Sequence, residues 1–138
     1  MAGVRDYFSL IKFSHSIFAL PFALIAFLVA DPHRLDVSTL GKVVLAMVLA
    51  RAAAMAYNRW ADRRLDAINP RTREREIPSG VIQPAAALAL TGACSLGFLL
   101  VAWWIAPVCG WLGIGVLLVL LGYSHAKRFT VLSHIWLG

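Results

Sequence analysis

Four apolar blocks dominate this chain and limit what it can fold into. They cover residues 17–30, 40–57, 85–106 and 108–123, and each approaches, with its flanks, the ~20 residues that a membrane-spanning helix needs. The blocks are continuous rather than alternating, and a bilayer core allows only helices or closed barrels to span it. The sequence therefore predicts an all-α, polytopic transmembrane helix bundle with four spans, and the apolar residues 131–138 predict the start of a fifth.

The composition agrees with a membrane protein, since 60% of the 138 residues are hydrophobic and 14% are charged. The net charge of +6 does not indicate nucleic-acid binding, because the basic residues are concentrated at three places: before the first block, between the second and third, and after the fourth. With four spans, these places share one side of the membrane. The positive-inside rule puts that side in the cytoplasm, and we expect a bacterial cytoplasmic membrane.

The amino-terminal segment, residues 1–15, is expected to form a short interfacial helix in which Arg5 and Lys12 face lipid phosphates. Lys12 and His15 share a face at the mouth of the first span, where a lysine commonly extends its amine to the interface. Pro21 falls inside the first block and predicts a kink there.

The polar segment between the second and third blocks, residues 58–80, holds the candidate chemistry. If the second helix continues to residue 67, then Asn58, Asp62 and Asp66 recur every four residues and lie on one face. Carboxylates at this spacing repel each other, and a divalent cation such as Mg2+ would relieve the repulsion, because hard cations bind carboxylate and amide oxygens. The pattern predicts a Mg2+ site whose bound anion would meet the arginines that follow.

A salt-bridged helix at the membrane surface is an alternative interpretation of the same residues. Arg59 lies three residues before Asp62, and Arg63 lies three residues before Asp66. Each carboxylate thus has a possible ion-pair partner within its own helix. The spacing alone leaves both interpretations open.

Polar residues in two spans point to the same layer. Arg51 lies seven residues before Asn58, on the same helical face, among alanines that permit close helix packing. A buried arginine in a membrane normally faces a protein interior or a cavity, so Arg51 is a candidate anion contact or an interhelical hydrogen-bond donor. Tyr123 and Lys127 share a face after the fourth block, where interfacial anchoring and positive-inside charge would also account for them.

Four segments of the chain resemble the same protein family. The motif NRWADRRLD resembles the first aspartate-rich motif of the UbiA-type intramembrane prenyltransferases, which attach polyprenyl chains to aromatic acceptors in quinone biosynthesis. REREIPSG resembles the loop segment that follows that motif, YSHAKRF resembles the segment after the fourth span, and KFSHSIFALPFA resembles the first helix. The resemblance covers nearly the whole chain in register, and it implies that residues 1–138 are the N-terminal half of such a domain and a fragment of a longer protein.

The resemblance also implies roles and partners. The residues implied to be catalytic, by holding Mg2+ against a prenyl diphosphate, are Asn58, Asp62 and Asp66. The residues implied to contact the diphosphate are Arg71, Arg75 and Lys127. The residues implied to line the cavity near the allylic carbon and the acceptor are Arg51, Tyr123 and Lys12. The implied partners are a polyprenyl diphosphate, an aromatic acid acceptor and the lipid bilayer, with no nucleic acid; the acceptor would be 4-hydroxybenzoate or a dihydroxynaphthoate, for ubiquinone or menaquinone biosynthesis.

The chain departs from the family pattern at three points. Arg59 stands where many members have a second acidic residue, and Glu76 replaces the first proline of the loop segment. The family's second aspartate-rich motif has no counterpart after Lys127, so the chain alone is not expected to turn over substrate.

Two other classes of protein share some of these features. CDP-alcohol phosphotransferases also place spaced aspartates on membrane helices, but NRWADRRLD lacks the Asp-Gly and Ala-Arg pairs of their pattern. A non-enzymatic membrane assembly or transport subunit would dock anionic lipid through the basic loop. That function leaves the stacked Asn58, Asp62 and Asp66 unexplained.

Overall fold

The computed structural model describes residues 3–30 and 36–129, and within these ranges the regular elements are all helical. In chain order they are α1 (Val4–Leu10), a 3₁₀ helix (Phe13–Ala19), α2 (Leu20–Ala30), α3 (Val37–Ile68), α4 (Pro84–Ile105) and α5 (Pro107–Phe129). The predicted all-α class and transmembrane helix bundle are confirmed. The predicted start of a fifth span, residues 131–138, lies outside the described residues, as do the side chains of His15 and Lys127.

Three helices in the described ranges are long and apolar enough to cross a membrane, namely Val37–Ile68, Pro84–Ile105 and Pro107–Ala126. Within the described residues, the first apolar block forms a shorter apolar helical stretch, Ser16–Ala30, which changes from 3₁₀ to α geometry. Pro21 accounts for this change. Proline lacks an N–H and fits the first turn of an α-helix but not its interior, so Pro21 lies in the first turn of α2 instead of kinking a longer helix.

Helix α3 is the longest element, with 32 residues, and it begins at the N-cap residue Asp36. The Asp36 carboxylate accepts hydrogen bonds from the Thr39 hydroxyl at 2.8 Å and from the backbone N–H groups of Thr39 and Ser38 at 2.9 and 3.1 Å. These bonds, that of the Thr39 hydroxyl first, hold the pKa of Asp36 below its usual range. At its helical rise α3 is about 48 Å long, against ~30 Å for a hydrocarbon core, so one end extends beyond the apolar layer.

Small side chains allow the long helices to approach closely. Ala50 of α3 belongs to a buried cluster with Phe98 of α4 and Leu117 of α5. Ala56, one to two turns further along α3, is buried in a second cluster with Ala87 of α4. Small residues permit tight helix packing in membranes. The two clusters together therefore hold the polar end of α3 beside α4 and α5.

Gly110, in the first turn of α5, lies against the indole ring of Trp103. A methyl group at this position would overlap the ring, so we expect Gly110→Ala to lower the free energy of unfolding by about 1–3 kcal/mol. Gly115→Ala is the matched control, because no atom lies within 4 Å of the added carbon and alanine is the better helix former. Denaturation of both variants in detergent micelles checks this prediction, and equal effects of the two substitutions would contradict it.

Candidate active site

The last turns of α3 hold the three predicted metal-binding side chains. The predicted continuation of this helix through residue 67 is confirmed, since α3 runs unbroken to Ile68. Asn58, Asp62 and Asp66 therefore lie on one face at successive turns. Asn58 and Asp62 are half-buried, whereas Asp66 is buried, with 7% of its surface exposed. The carboxylate nearest the helix end is thus the most enclosed of the three.

Asp62 and Asp66 line an open cleft of about 930 Å³, and His125 of α5 lines the same cleft. Asn58 lies one turn earlier on α3, where its Nδ2 donates a long hydrogen bond of 3.5 Å to Ser124 Oγ of α5. The cleft has the volume of a small-molecule site. Helices α3 and α5 together therefore form the walls of the candidate site.

The loop after α3 folds back onto the aspartate face. Arg75 Nη1 donates to both carboxylate oxygens of Asp66, at 2.8 and 2.9 Å, and Thr72 Oγ1 donates to the Asp66 backbone carbonyl at 3.1 Å. The Asp66 side chain is 10% exposed and the Arg75 side chain 33%, so solvent reaches the pair mainly from the arginine side. Arg71, the other predicted diphosphate contact in this loop, is exposed, and its backbone N–H donates to Asn69 Oδ1 at 3.0 Å.

Arg63 does not take the partner that helical spacing suggests. Its Nη1 donates to the Trp60 backbone carbonyl at 2.7 Å, and its guanidinium lies over the Trp60 ring, 4.5 Å from the centroid. The ion pair of Asp66 is made with Arg75, from the loop. The interpretation of Arg63 as the helical partner of Asp66 is therefore wrong, and a tertiary contact takes its place.

The donor set on α3 comprises two carboxylates and one carboxamide. Across residues 3–30 and 36–129, no three or more histidine, cysteine, aspartate or glutamate side chains are grouped so as to hold a metal ion. Mg2+ commonly binds proteins through only one or two carboxylates and completes its shell with water and substrate phosphates. The residues present therefore fit a cation that is bound together with a phosphate-bearing substrate better than one held by the protein alone.

The predicted cavity residues do not all lie at the same place. Arg51 is half-buried in α3, and among the described residues its Nε has no hydrogen-bond partner. Tyr123 is half-buried on α5. Lys12 is exposed in a left-handed backbone conformation, φ 47°, and lines a second cleft with Arg59. The structure thus puts Lys12 and Asp62 in the walls of different clefts.

A contact between Tyr57 and His125 is the feature of this site that sequence analysis missed. Tyr57 OH and His125 Nε2 lie 2.7 Å apart, which joins α3 to α5 beside the cleft. The Tyr57 ring also stacks on Trp60, with the centroids 5.6 Å apart. The two partners are separated by 68 positions, so helical spacing could not have predicted their contact. The sequence offers only one indication, which is that Tyr57 is next to Asn58 and His125 is next to Ser124.

We expect Tyr57→Phe and His125→Gln each to lower the free energy of unfolding by about 0.5–1.5 kcal/mol, because each removes one partner of the same hydrogen bond. The double variant should lose little more than either single variant, since the bond can be broken only once. Denaturant unfolding of the four proteins in detergent measures this cycle. Fully additive losses would show that the two side chains do not stabilise each other.

Comparison with known proteins agrees with this helical fold. A sequence profile of the UbiA prenyltransferase family matches residues 19–138. The apo structure of a UbiA homolog from Aeropyrum pernix K1 superimposes with a TM-score of 0.83 at 34% sequence identity, over 90% of this chain and 45% of that one. The similarity therefore covers both the fold and the motif helix.

Two kinds of prenyltransferase are found among the curated relatives. A protoheme IX farnesyltransferase from Alkalilimnicola ehrlichii is 36% identical over 75% of this chain and 35% of its own length. Two 4-hydroxybenzoate octaprenyltransferases are also similar. That of Ralstonia nicotianae is 35% identical over 69% of this chain and 33% of its own length. That of Herminiimonas arsenicoxydans is 30% identical over 100% of this chain and 50% of its own length. The chain thus spans half or less of the length of these relatives. With the profile covering most of its residues and the aspartates of α3 in place, the chain belongs to the UbiA prenyltransferase family.

Proposed function

We propose that this chain is the N-terminal half of a prenyltransferase domain and forms its diphosphate-binding side. The whole enzyme would transfer a polyprenyl chain from a polyprenyl diphosphate to an aromatic acceptor, with Mg2+ as cofactor. The observation that supports this most directly is the cleft lined by Asp62 and Asp66, together with the Arg75 guanidinium that binds the Asp66 carboxylate. Anion-binding and cation-binding groups at one place suit a substrate that carries both a diphosphate and its counterion.

The proposed binding roles follow from the side-chain chemistry. Asn58, Asp62 and Asp66 would hold Mg2+, which when bound stabilises the negative charge that develops on the leaving diphosphate. Arg75 is already oriented toward this face by its bond to Asp66, and an arriving diphosphate would offer it a second anionic partner. The further proposed diphosphate contacts are Arg71 and Lys127.

In the proposed reaction the allylic C–O bond breaks and the diphosphate departs with its electron pair. A ring carbon of the acceptor forms the new C–C bond, and the ring then loses a proton. Arg51, Tyr123 and Lys12 are proposed to orient the acceptor in this step. The apolar helices around the site would exclude water, which would otherwise capture the allylic cation.

For the acceptor, we propose 4-hydroxybenzoate or a dihydroxynaphthoate, of ubiquinone or menaquinone biosynthesis. The names of the Ralstonia and Herminiimonas relatives favour 4-hydroxybenzoate. A protoheme acceptor is the second candidate, favoured by the protoheme IX farnesyltransferase that is 36% identical. The concentration of basic residues in the loop after α3 supports a site on the cytoplasmic side of a bacterial membrane.

Binding of a non-hydrolysable prenyl thiolodiphosphate to the chain in nanodiscs tests the proposal. We expect binding with Mg2+, little binding in EDTA, and no comparable binding of a prenyl alcohol. Acceptors are then compared by adding 4-hydroxybenzoate, 1,4-dihydroxy-2-naphthoate or haem b and measuring which one tightens the complex. Equal binding with and without Mg2+ would instead favour a non-enzymatic, lipid-docking membrane subunit.

A further inference from the structure

A second cleft, of about 690 Å³, borders α3 and has no lining residue in common with the aspartate cleft. It is enclosed by α1, the beginning of the 3₁₀ helix, α3 and the loop after α3. Three cationic side chains line it, those of Arg5, Lys12 and Arg59, against one carboxylate, that of Glu76. The balance of these charges is positive, which suits an anionic ligand.

Arg59 is the central group of this cleft. Only 7% of its surface is exposed, and within the described residues its Nε has no hydrogen-bond partner. A buried guanidinium donor without an acceptor is costly, so such a group normally meets a partner. An anion in the cleft that Arg59 lines would supply the missing acceptor.

Glu76 and Ser9 close the cleft on its opposite side. The Ser9 hydroxyl donates to Glu76 Oε1 and thereby joins α1 to the loop 67 residues later. This bond orients α1 so that Arg5, on the same helix, also reaches the cleft wall. One oxygen of the carboxylate thus holds the wall together, while Oε2 is buried and has no hydrogen-bond partner within the described residues. The three cations still outnumber this single carboxylate in the lining of the cleft.

The rim of the cleft is apolar and aromatic. Phe8 and Phe13 line it and contact each other edge to face, with centroids 5.1 Å apart, and 48% and 43% of their surfaces are exposed. The chain then continues into the exposed apolar side chains Ile17, Phe18 and Phe22. A cationic cleft next to an exposed apolar surface matches a ligand with a phosphate head and acyl chains.

We propose that this second cleft binds the headgroup phosphate of an anionic phospholipid, with Arg59 as its buried anchor and the acyl chains lying along the aromatic rim. This cleft shares no lining residue with the aspartate cleft, although Arg59 lies seven residues before Asp66 and therefore on the same side of α3. Lys12 lines the second cleft and is also among the proposed acceptor contacts, so the test below leaves it unsubstituted. Lipid binding here does not depend on the proposed prenyl transfer. Its failure would leave the interpretation of Asp62 and Asp66 unchanged.

Native mass spectrometry of the detergent-solubilised chain, titrated with phosphatidylglycerol or phosphatidylcholine, tests this site. We expect one phosphatidylglycerol to be retained in preference to phosphatidylcholine. Arg59→Gln and, separately, the exposed-residue variant Arg5→Gln should each weaken retention about fivefold, the effect of one basic group near a lipid phosphate. Arg73→Gln, which removes an exposed loop charge away from the cleft, is the matched control and should retain the lipid.

The outcomes separate the possible ligands. Retention that survives an excess of inorganic phosphate supports a lipid, whereas displacement by phosphate would overturn the lipid assignment in favour of a small anion. Equal retention of the two lipids by the unsubstituted chain would also overturn it. If Arg59→Gln does not fold, Arg5→Gln still decides the question. If Arg5→Gln retains the lipid as well as the control Arg73→Gln does, the cations of the cleft do not form the lipid site, and the proposal is overturned.

Discussion

Replacing Asp62 with asparagine is expected to abolish the Mg2+-dependent binding of a prenyl thiolodiphosphate, with an affinity loss of at least about 100-fold. Asparagine keeps the size and hydrogen-bonding shape of the side chain but removes the negative charge that a hard cation requires. Changes to residues that merely support a metal ligand already cost about 10–100-fold, so loss of a ligand should cost more. Titration calorimetry with Mg2+ and with EDTA measures the effect.

Glu74→Gln is the matched control for this substitution. Glu74 is an exposed carboxylate of the loop after α3 and does not line the aspartate cleft. The Glu74→Gln substitution removes the same charge from the same side of the protein as Asp62→Asn does. A purely long-range electrostatic effect would therefore appear in both variants and would weaken at high salt. Similar losses in the two variants would argue against Asp62 as a metal ligand.

The aspartate face was predictable because it depends on helical periodicity alone. From Lys42 to Asn69 the sequence contains neither glycine nor proline, so nothing interrupts α3 between its apolar part and its polar end. The four-residue spacing of Asn58, Asp62 and Asp66 then dictates a common face in any continuous helix. Local sequence was sufficient at this point because no distant residue had to be placed.

The partner of Asp66 was not predictable in this way. Helical spacing offers Arg63, but this side chain gains a carbonyl acceptor and an aromatic face from Trp60. Arg75 reaches Asp66 because the loop reverses direction, and Thr72 fixes that reversal through the Asp66 carbonyl. A loop path of this kind depends on tertiary contacts that charge spacing does not encode.

The change from 3₁₀ to α geometry within the first apolar block was not predictable either. Its composition is that of a membrane helix, and hydropathy alone does not register where the backbone changes its hydrogen-bonding pattern. Lys12 adopts a left-handed conformation just before the 3₁₀ helix, and Pro21 lies in the first turn of the α-helix that begins at Leu20. Both are backbone effects of single residues, which outweigh the average hydrophobicity of the segment.

Replacing Arg75 with glutamine is expected to change two affinities in opposite directions. Arg75 binds both carboxylate oxygens of Asp66. Its removal should therefore raise the affinity for Mg2+ alone by about tenfold, which corresponds to the net free energy of one hydrogen bond to a charged group. The affinity for the prenyl thiolodiphosphate should fall by about as much, because the diphosphate loses a guanidinium donor. The free energy of unfolding should also fall, since Asp66 is left buried without its partner.

The opposite signs make this prediction specific to a guanidinium that is shared between Asp66 and the substrate. An Arg75 that served only to stabilise the loop would lower both affinities together when removed. An Arg75 that contacted only the substrate would leave the affinity for Mg2+ unchanged.

Arg73→Gln removes an exposed charge two residues earlier and controls for the loss of positive potential. Arg75→Lys should give intermediate values, because lysine keeps the charge but not the planar donor array. If Mg2+ binds Arg75→Gln no better than the unsubstituted chain, the ion pair does not compete with the metal, and Asp66 is a structural residue.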